Sequence, residues 1–66
     1  MTEHDVLEDE LLSPKQVADL LGVAVATIYQ WRYRGEGPSG FRIGGHVRYW
    51  RSTVMTWLGE HADPWS

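Results

Sequence analysis

The sequence has no cysteine, so neither disulfides nor thiolate metal ligands can supplement its core. It has one lysine, Lys15, and one phenylalanine, Phe41. No apolar run approaches the roughly 20 residues that cross a bilayer. Residues 1–10, MTEHDVLEDE, contain no Lys or Arg, which is the opposite of a signal or transit peptide. These absences predict a cytosolic protein away from the membrane. Catalysis is equally poorly provided for. His4, His46 and His61 are scattered without ligand-like spacing, and the glycines of GEGPSG lead into a strand rather than a phosphate-binding helix. The expectation is a protein with no enzymatic activity, no metal and no cofactor.

With 66 residues, the chain makes one small domain that buries only about 60% of its unfolded surface. Four Trp, three Tyr and one Phe must therefore do much of the packing. The net charge is -3, yet all five arginines fall within WRYRGEGPSGFRIGGHVRYWR, residues 31–51, where Glu36 is the one carboxylate. A polyanion responds to the field of one face, within a Debye length of about 8–10 Å, and not to the overall sign. The clustering thus outweighs the acidic isoelectric point.

The clearest local signals surround LLSPKQVADLLG. Ser13 suits a helix N-cap, Pro14 the first helical position and Gln16 the return partner of a capping box. Leu12 and Val17 occupy staple positions, Val17, Leu20 and Leu21 form an apolar stripe, and Gly22 stops the helix. A second helix is predicted from about Ala24 to Tyr33, ended by Gly35, with Ile28 and Trp31 turned inward. The short turn at Gly22 and Val23, with small Ala18 beneath it, is the pattern of a helix-turn-helix; an ordinary helical hairpin uses similar spacing. A last helix is read from STVMTWLGEH, capped by Ser52 and burying Val54, Trp57 and Leu58.

Between them, FRIGGHVRY alternates like a half-buried β-hairpin. If Phe41 and Ile43 are to share the core face with Val47 and Tyr49, the loop must be Gly44-Gly45-His46, pairing Ile43 with Val47 and Phe41 with Tyr49. That register sets Arg42 opposite Arg48 on the solvent face, a like-charge pair costing up to about 1 kcal/mol. An anion lying across the ribbon would relieve the repulsion. Alternatively, the arginines discourage edge-to-edge aggregation.

The run LLSPKQVADLLGV, then TIYQW, RIGGHVRY and VMTWL, resembles the excisionase-type small winged helix-turn-helix proteins, relatives of the MerR-type DNA-binding domain, over about residues 11–58. Two departures stand out: Ala24 replaces the usual Ser or Thr cap, and GEGPSGF is one residue longer than the commoner loop. The resemblance implies a mostly helical α+β fold, a winged helix-turn-helix of three short helices with a two-stranded β-hairpin wing. Domain organisation is then an acidic flexible tail over 1–10, the DNA-binding domain over 11–61 and a C-terminal tail over 62–66.

In that architecture the second helix enters the major groove of double-stranded DNA. Val25, Ala26, Tyr29 and Gln30 then face the groove, Gln30 suited to adenine and Val25 or Ala26 to a thymine methyl. Tyr29 has packing on the wing as its other reading. Thr27 meets a phosphate or bonds within its own helix. Arg32, Arg34 and Lys15 are placed for phosphates, while Arg42, Arg48 and His46 carry the wing to the backbone or minor groove. Arg51 grips phosphate from the base of the hairpin. Trp31, Trp57, Phe41, Ile43 and Val47 read as core, and Trp50 is open between packing and contact.

The implied role is that of a phage or mobile-element excisionase, a nucleoid-associated cytoplasmic factor. It would bind attachment-site DNA in adjacent copies, bend it and work with a site-specific integrase. A small MerR-like regulator acting at an operator is the alternative on the same fold. A protein-interaction or anti-repressor module, using the acidic tail and Trp65, is a third possibility.

Overall fold

The computed structural model describes residues 9–62. Trp65 and most of the acidic tail lie outside the described residues. The chain runs β1 (Leu11–Leu12), α1 (Pro14–Leu21), α2 (Val25–Arg34), β2 (Phe41–Ile43), β3 (His46–Trp50) and α3 (Arg51–His61). Three helices thus accompany one antiparallel sheet of order β1-β3-β2. Among the described residues no helix is long and apolar enough to cross a membrane.

Helix α1 forms as its local signals dictate. The Gln16 backbone N–H donates to Ser13 Oγ at 3.2 Å, and the Ser13 N–H donates to Gln16 Oε1 at 2.8 Å. This reciprocal pair satisfies donors that a helix start leaves open. Gly22 ends α1 at φ 72°, a left-handed conformation that L side chains resist. Val23 N–H then donates to Ala18 O at 3.0 Å, closing the turn into α2. Val17 and Ala18 are buried beneath this turn with Ile28 of α2. Leu20, expected on the buried stripe, is instead 39% exposed, because α2 and the sheet cover only the Val17–Ala18 side of α1.

Tyr49 is the largest fully buried side chain, and it joins Leu12, Val17, Ala18, Ile28 and Val54 in the core. Burial of each large apolar member contributes about 1.5–3 kcal/mol before entropy is subtracted. The GEGPSG loop seals one flank. A Cβ on Gly40 would sit 2.6 Å from the Tyr49 ring, and one on Gly37 would sit 2.8 Å from the Trp31 ring. The loop can therefore lie on these aromatics only because both positions lack side chains.

The expected hairpin register is not the one observed. Gly44 and Gly45 alone form the loop, and the partners are Ile43 with His46, Arg42 with Val47 and Phe41 with Arg48. Both glycines have positive φ, 57° and 82°, which is what a two-residue type I′ turn requires and which matches the natural twist of the strands. The argument for a three-residue loop assumed that both strands roof the core. Only β3 does so, through Val47 and Tyr49, while the contacts of β2 run chiefly to β3. Phe41 and Ile43 consequently fall on the outer face. Phe41 meets Trp50 there at 6.1 Å between ring centroids, and Ile43 is 55% exposed, not core. Arg42 and Arg48 point to opposite faces, and the predicted like-charge pair does not exist.

Two further features were not anticipated. Leu11 and Leu12 pair with Trp50 and Tyr49, turning the two-stranded ribbon into a three-stranded sheet. Helix α3 begins at Arg51 with Trp50 as its N-cap, not Ser52, and Trp50 makes no side-chain cap. The capping acceptors come from the end of the acidic segment. Glu10 O accepts from Arg51 N–H at 2.8 Å, and the Asp9 carboxylate accepts from Ser52 N–H at 3.1 Å and Ser52 Oγ–H at 2.6 Å.

Candidate nucleic-acid interface

Helix α2 carries the centre of the site. At 100° per residue its buried side is Thr27, Ile28 and Trp31, of which Ile28 is 1% exposed. Val25, Ala26, Tyr29 and Gln30 form the opposite side, and all four are exposed, as an element entering a groove requires. Tyr29 is 53% exposed, and its phenol adds to the upward push on the Tyr49 phenol of β3. Thr27 is half-buried near the first turn, facing away from the middle of this surface.

Tyr33 was missed. It lies one turn beyond Tyr29, on the same phase, and is 92% exposed. The i, i+4 spacing of two tyrosines on the polar side of an amphipathic helix was the signal that would have found it. The N-terminal end of α2 has Ala24 as its cap with no side-chain hydrogen bond. No side chain caps this end, and the Thr27 N–H donates instead to the backbone Ala24 O at 2.9 Å.

At the other end, Arg32 and Arg34 occupy the last turn of α2, and Gly35 closes it at φ 74°. Arg34 is exposed, whereas Arg32 is half-buried with the Tyr49 hydroxyl as neighbour. Burial pushes the Tyr49 phenol above its ordinary value, and the Arg32 guanidinium pulls it back. Tyr49 thus ties the sheet to α2 at the base of the cationic face. Arg42 emerges from the same inner side of the sheet, opposite Val47. Arg32 and Arg34 thus lie at the end of α2, and Arg42 on the sheet face that also carries Tyr49.

The remaining cations have partners or positions of their own. Arg48 is on the outer face, its Nη1 donating to Val47 O at 2.7 Å. His46 is exposed on that outer face at the ribbon tip. Arg51 sits at the start of α3, where its Nε is 4.0 Å from Glu10 Oε1. Lys15 is exposed in the first turn of α1, 3.7 Å from Asp19 Oδ2. Both pairs are solvent-exposed, and such pairs contribute little energy. The ribbon presents its two arginines on two faces instead of one.

The reverse side of α2 is aromatic. The Trp31 and Trp57 ring centroids are 5.3 Å apart, and His61 stacks on Trp57 at 5.0 Å. This contact joins α3 to α2; Trp31 packs against the core, whereas Trp57, read as core, is half-buried outside it.

A family model described as a helix-turn-helix domain matches residues 11–62. Comparison with curated proteins and with solved structures finds no match.

Proposed function

The chain belongs to the helix-turn-helix domain family, and from that premise we propose that it is a double-stranded DNA-binding protein without a reaction of its own. The observation that carries this reading is the exposed side of α2. Val25, Ala26, Tyr29, Gln30 and Tyr33 lie along one surface ended by Arg32 and Arg34. Such a helix presents base-reading groups to the major groove, with Gln30 able to make paired hydrogen bonds to adenine. The cations at its exit hold the adjacent phosphates.

The finer role proposed is that of an excisionase, a factor that directs integrase-mediated recombination towards excision. The motif resemblance over residues 11–58 supports it. A single module of this size buries about 600–1,000 Å² on DNA, and few phosphates are within reach of three or so arginines. Specific occupancy therefore calls for several copies on adjacent sites and a bend between them. A small transcription regulator is the alternative.

Selection of bound duplexes from random sequence, followed by footprinting at varied salt, tests the DNA-binding reading. Tandem protection with bending, together with stimulation of excision in an integrase reaction, is expected of the finer role. Protection of one promoter site with no effect on recombination would move the assignment to the regulator.

A further inference from the structure

The ribbon tip holds an apolar side chain that is largely exposed. Ile43 immediately precedes the Gly44-Gly45 turn and is 55% exposed, on the outer face of the sheet. Arg42, its neighbour, points to the inner face. Across the ribbon His46 is directly opposite Ile43, and Arg48 lies diagonally beyond on the same outer face. The tip is thus an isoleucine with a cation behind it on each side of the ribbon, and the turn ahead of it has no side chains at all.

That distribution discriminates between two ways of meeting a duplex. A ribbon lying flat across the backbone would use cations on one face only. A ribbon entering a groove tip-first meets a wall of phosphates on either side, and needs a cation on each face. Arg42 and Arg48 fit the second arrangement. A minor groove only about 6 Å wide is too narrow for a two-stranded ribbon, whose strands alone are about 4.8 Å apart before side chains are added. Entry therefore requires the groove to open. Opening is what an apolar wedge between base pairs produces, since partial unstacking of one step kinks the duplex towards the major groove.

Resting on the DNA-binding reading above, we infer that Ile43 is a minor-groove wedge. It enters beside the site occupied by α2 and unstacks one base step, while Arg42 and Arg48 grip the phosphates of the two walls. Flexible pyrimidine–purine steps such as TA or CA are the preferred partners, because they unstack most easily. The wing in this account reads deformability, and α2 reads base edges.

The test uses the full chain and a duplex selected from random sequence with the wild-type protein. Bending is read by energy transfer between end-labelled dyes, and unstacking by 2-aminopurine placed at successive steps flanking the α2 footprint. Wild type is expected to bend the duplex and to brighten 2-aminopurine at one flanking step. I43A should melt at the wild-type temperature and still protect the α2 half of the site, but lose most of the bend and the fluorescence rise. I43L, which keeps a wedge, should retain both. Undiminished bending by I43A would overturn the inference, as would a wild-type complex in which no flanking step brightens. If no duplex is selected at all, the DNA-binding reading has failed first, and the result is distinguishable from a bound but unbent complex.

Discussion

Asp9 and Ser52, 43 residues apart in the chain, are joined by two hydrogen bonds, from the Ser52 backbone N–H at 3.1 Å and from its hydroxyl at 2.6 Å, both to the Asp9 carboxylate. The bond from the backbone is the one a helix N-cap normally makes from within its own segment. Here the acceptor is supplied by a residue just before β1, ahead of the whole helix-turn-helix. Formation of α3 is thereby coupled to the pairing of β1 with β3.

Replacing Asp9 with Ala should cost about 1 kcal/mol, the usual worth of a helix cap. In a domain of this size that corresponds to a melting temperature lower by about 4–8 °C. D9N keeps an acceptor oxygen and should lose less. Thermal unfolding followed by circular dichroism decides it; a wild-type melting temperature in D9A would show that the cap contributes nothing.

The observed register makes its own demand on the ribbon tip. Gly45, at φ 82°, has open space around its missing Cβ, so a substitution there meets only backbone strain. G45A should destabilise by about 1–2 kcal/mol, while G44N, placing a residue tolerant of left-handed backbone in an Asn-Gly turn, should be much milder. Denaturant titration of both variants measures the difference, and equal losses would argue against the two-residue turn.

Tyr49 predicts a response to alkali. Burial raises its phenol above the usual tyrosine value of about 10, so above that pH the unfolded chain releases a proton that the folded chain keeps. Stability is then fully present below about pH 10 and falls as pH rises towards the folded-state value. Y49F removes this component. Its stability relative to wild type should therefore improve steadily in melts taken from pH 9 to 11 (roughly the span across the reference value), and parallel curves would contradict the prediction.

On DNA, each phosphate-holding arginine accounts for about 0.9 of the log–log salt slope. R32A, R34A and R42A should each flatten the slope by about that amount, and R51A by less, because Arg51 already faces Glu10. Tyr33 adds a control of a different kind. Y33A should weaken binding without moving the melting temperature, because its ring is 92% exposed. Fluorescence anisotropy across a salt series, paired with thermal melts, checks both.

How far the molecule could be read beforehand varies from one element to the next, and the reason is the range of the interactions involved. Ser13, Pro14, Gln16 and Gly22 bound α1 through contacts within three residues, and each does in the fold what its position in the chain implied. The exposed side of α2 was likewise legible from its 3.6-residue period, apart from Tyr33. The ribbon was misread because the alternation of apolar residues was allowed to outweigh the preference of Gly-Gly for a two-residue turn. Phe41 and Ile43 looked like core only on the assumption that something covers them from the inner side.

By itself, then, the amino-acid order determined the two helices of the helix-turn-helix, the capping of α1 and the turn at Gly22. Each depends on local backbone geometry and on hydrogen bonds between near neighbours. Only the tertiary structure decided that Leu11 and Leu12 extend the sheet, that Asp9 caps α3 and that Ile43 meets solvent. Those outcomes depend on which surface is covered by a segment far away in the chain, and no local pattern encodes that.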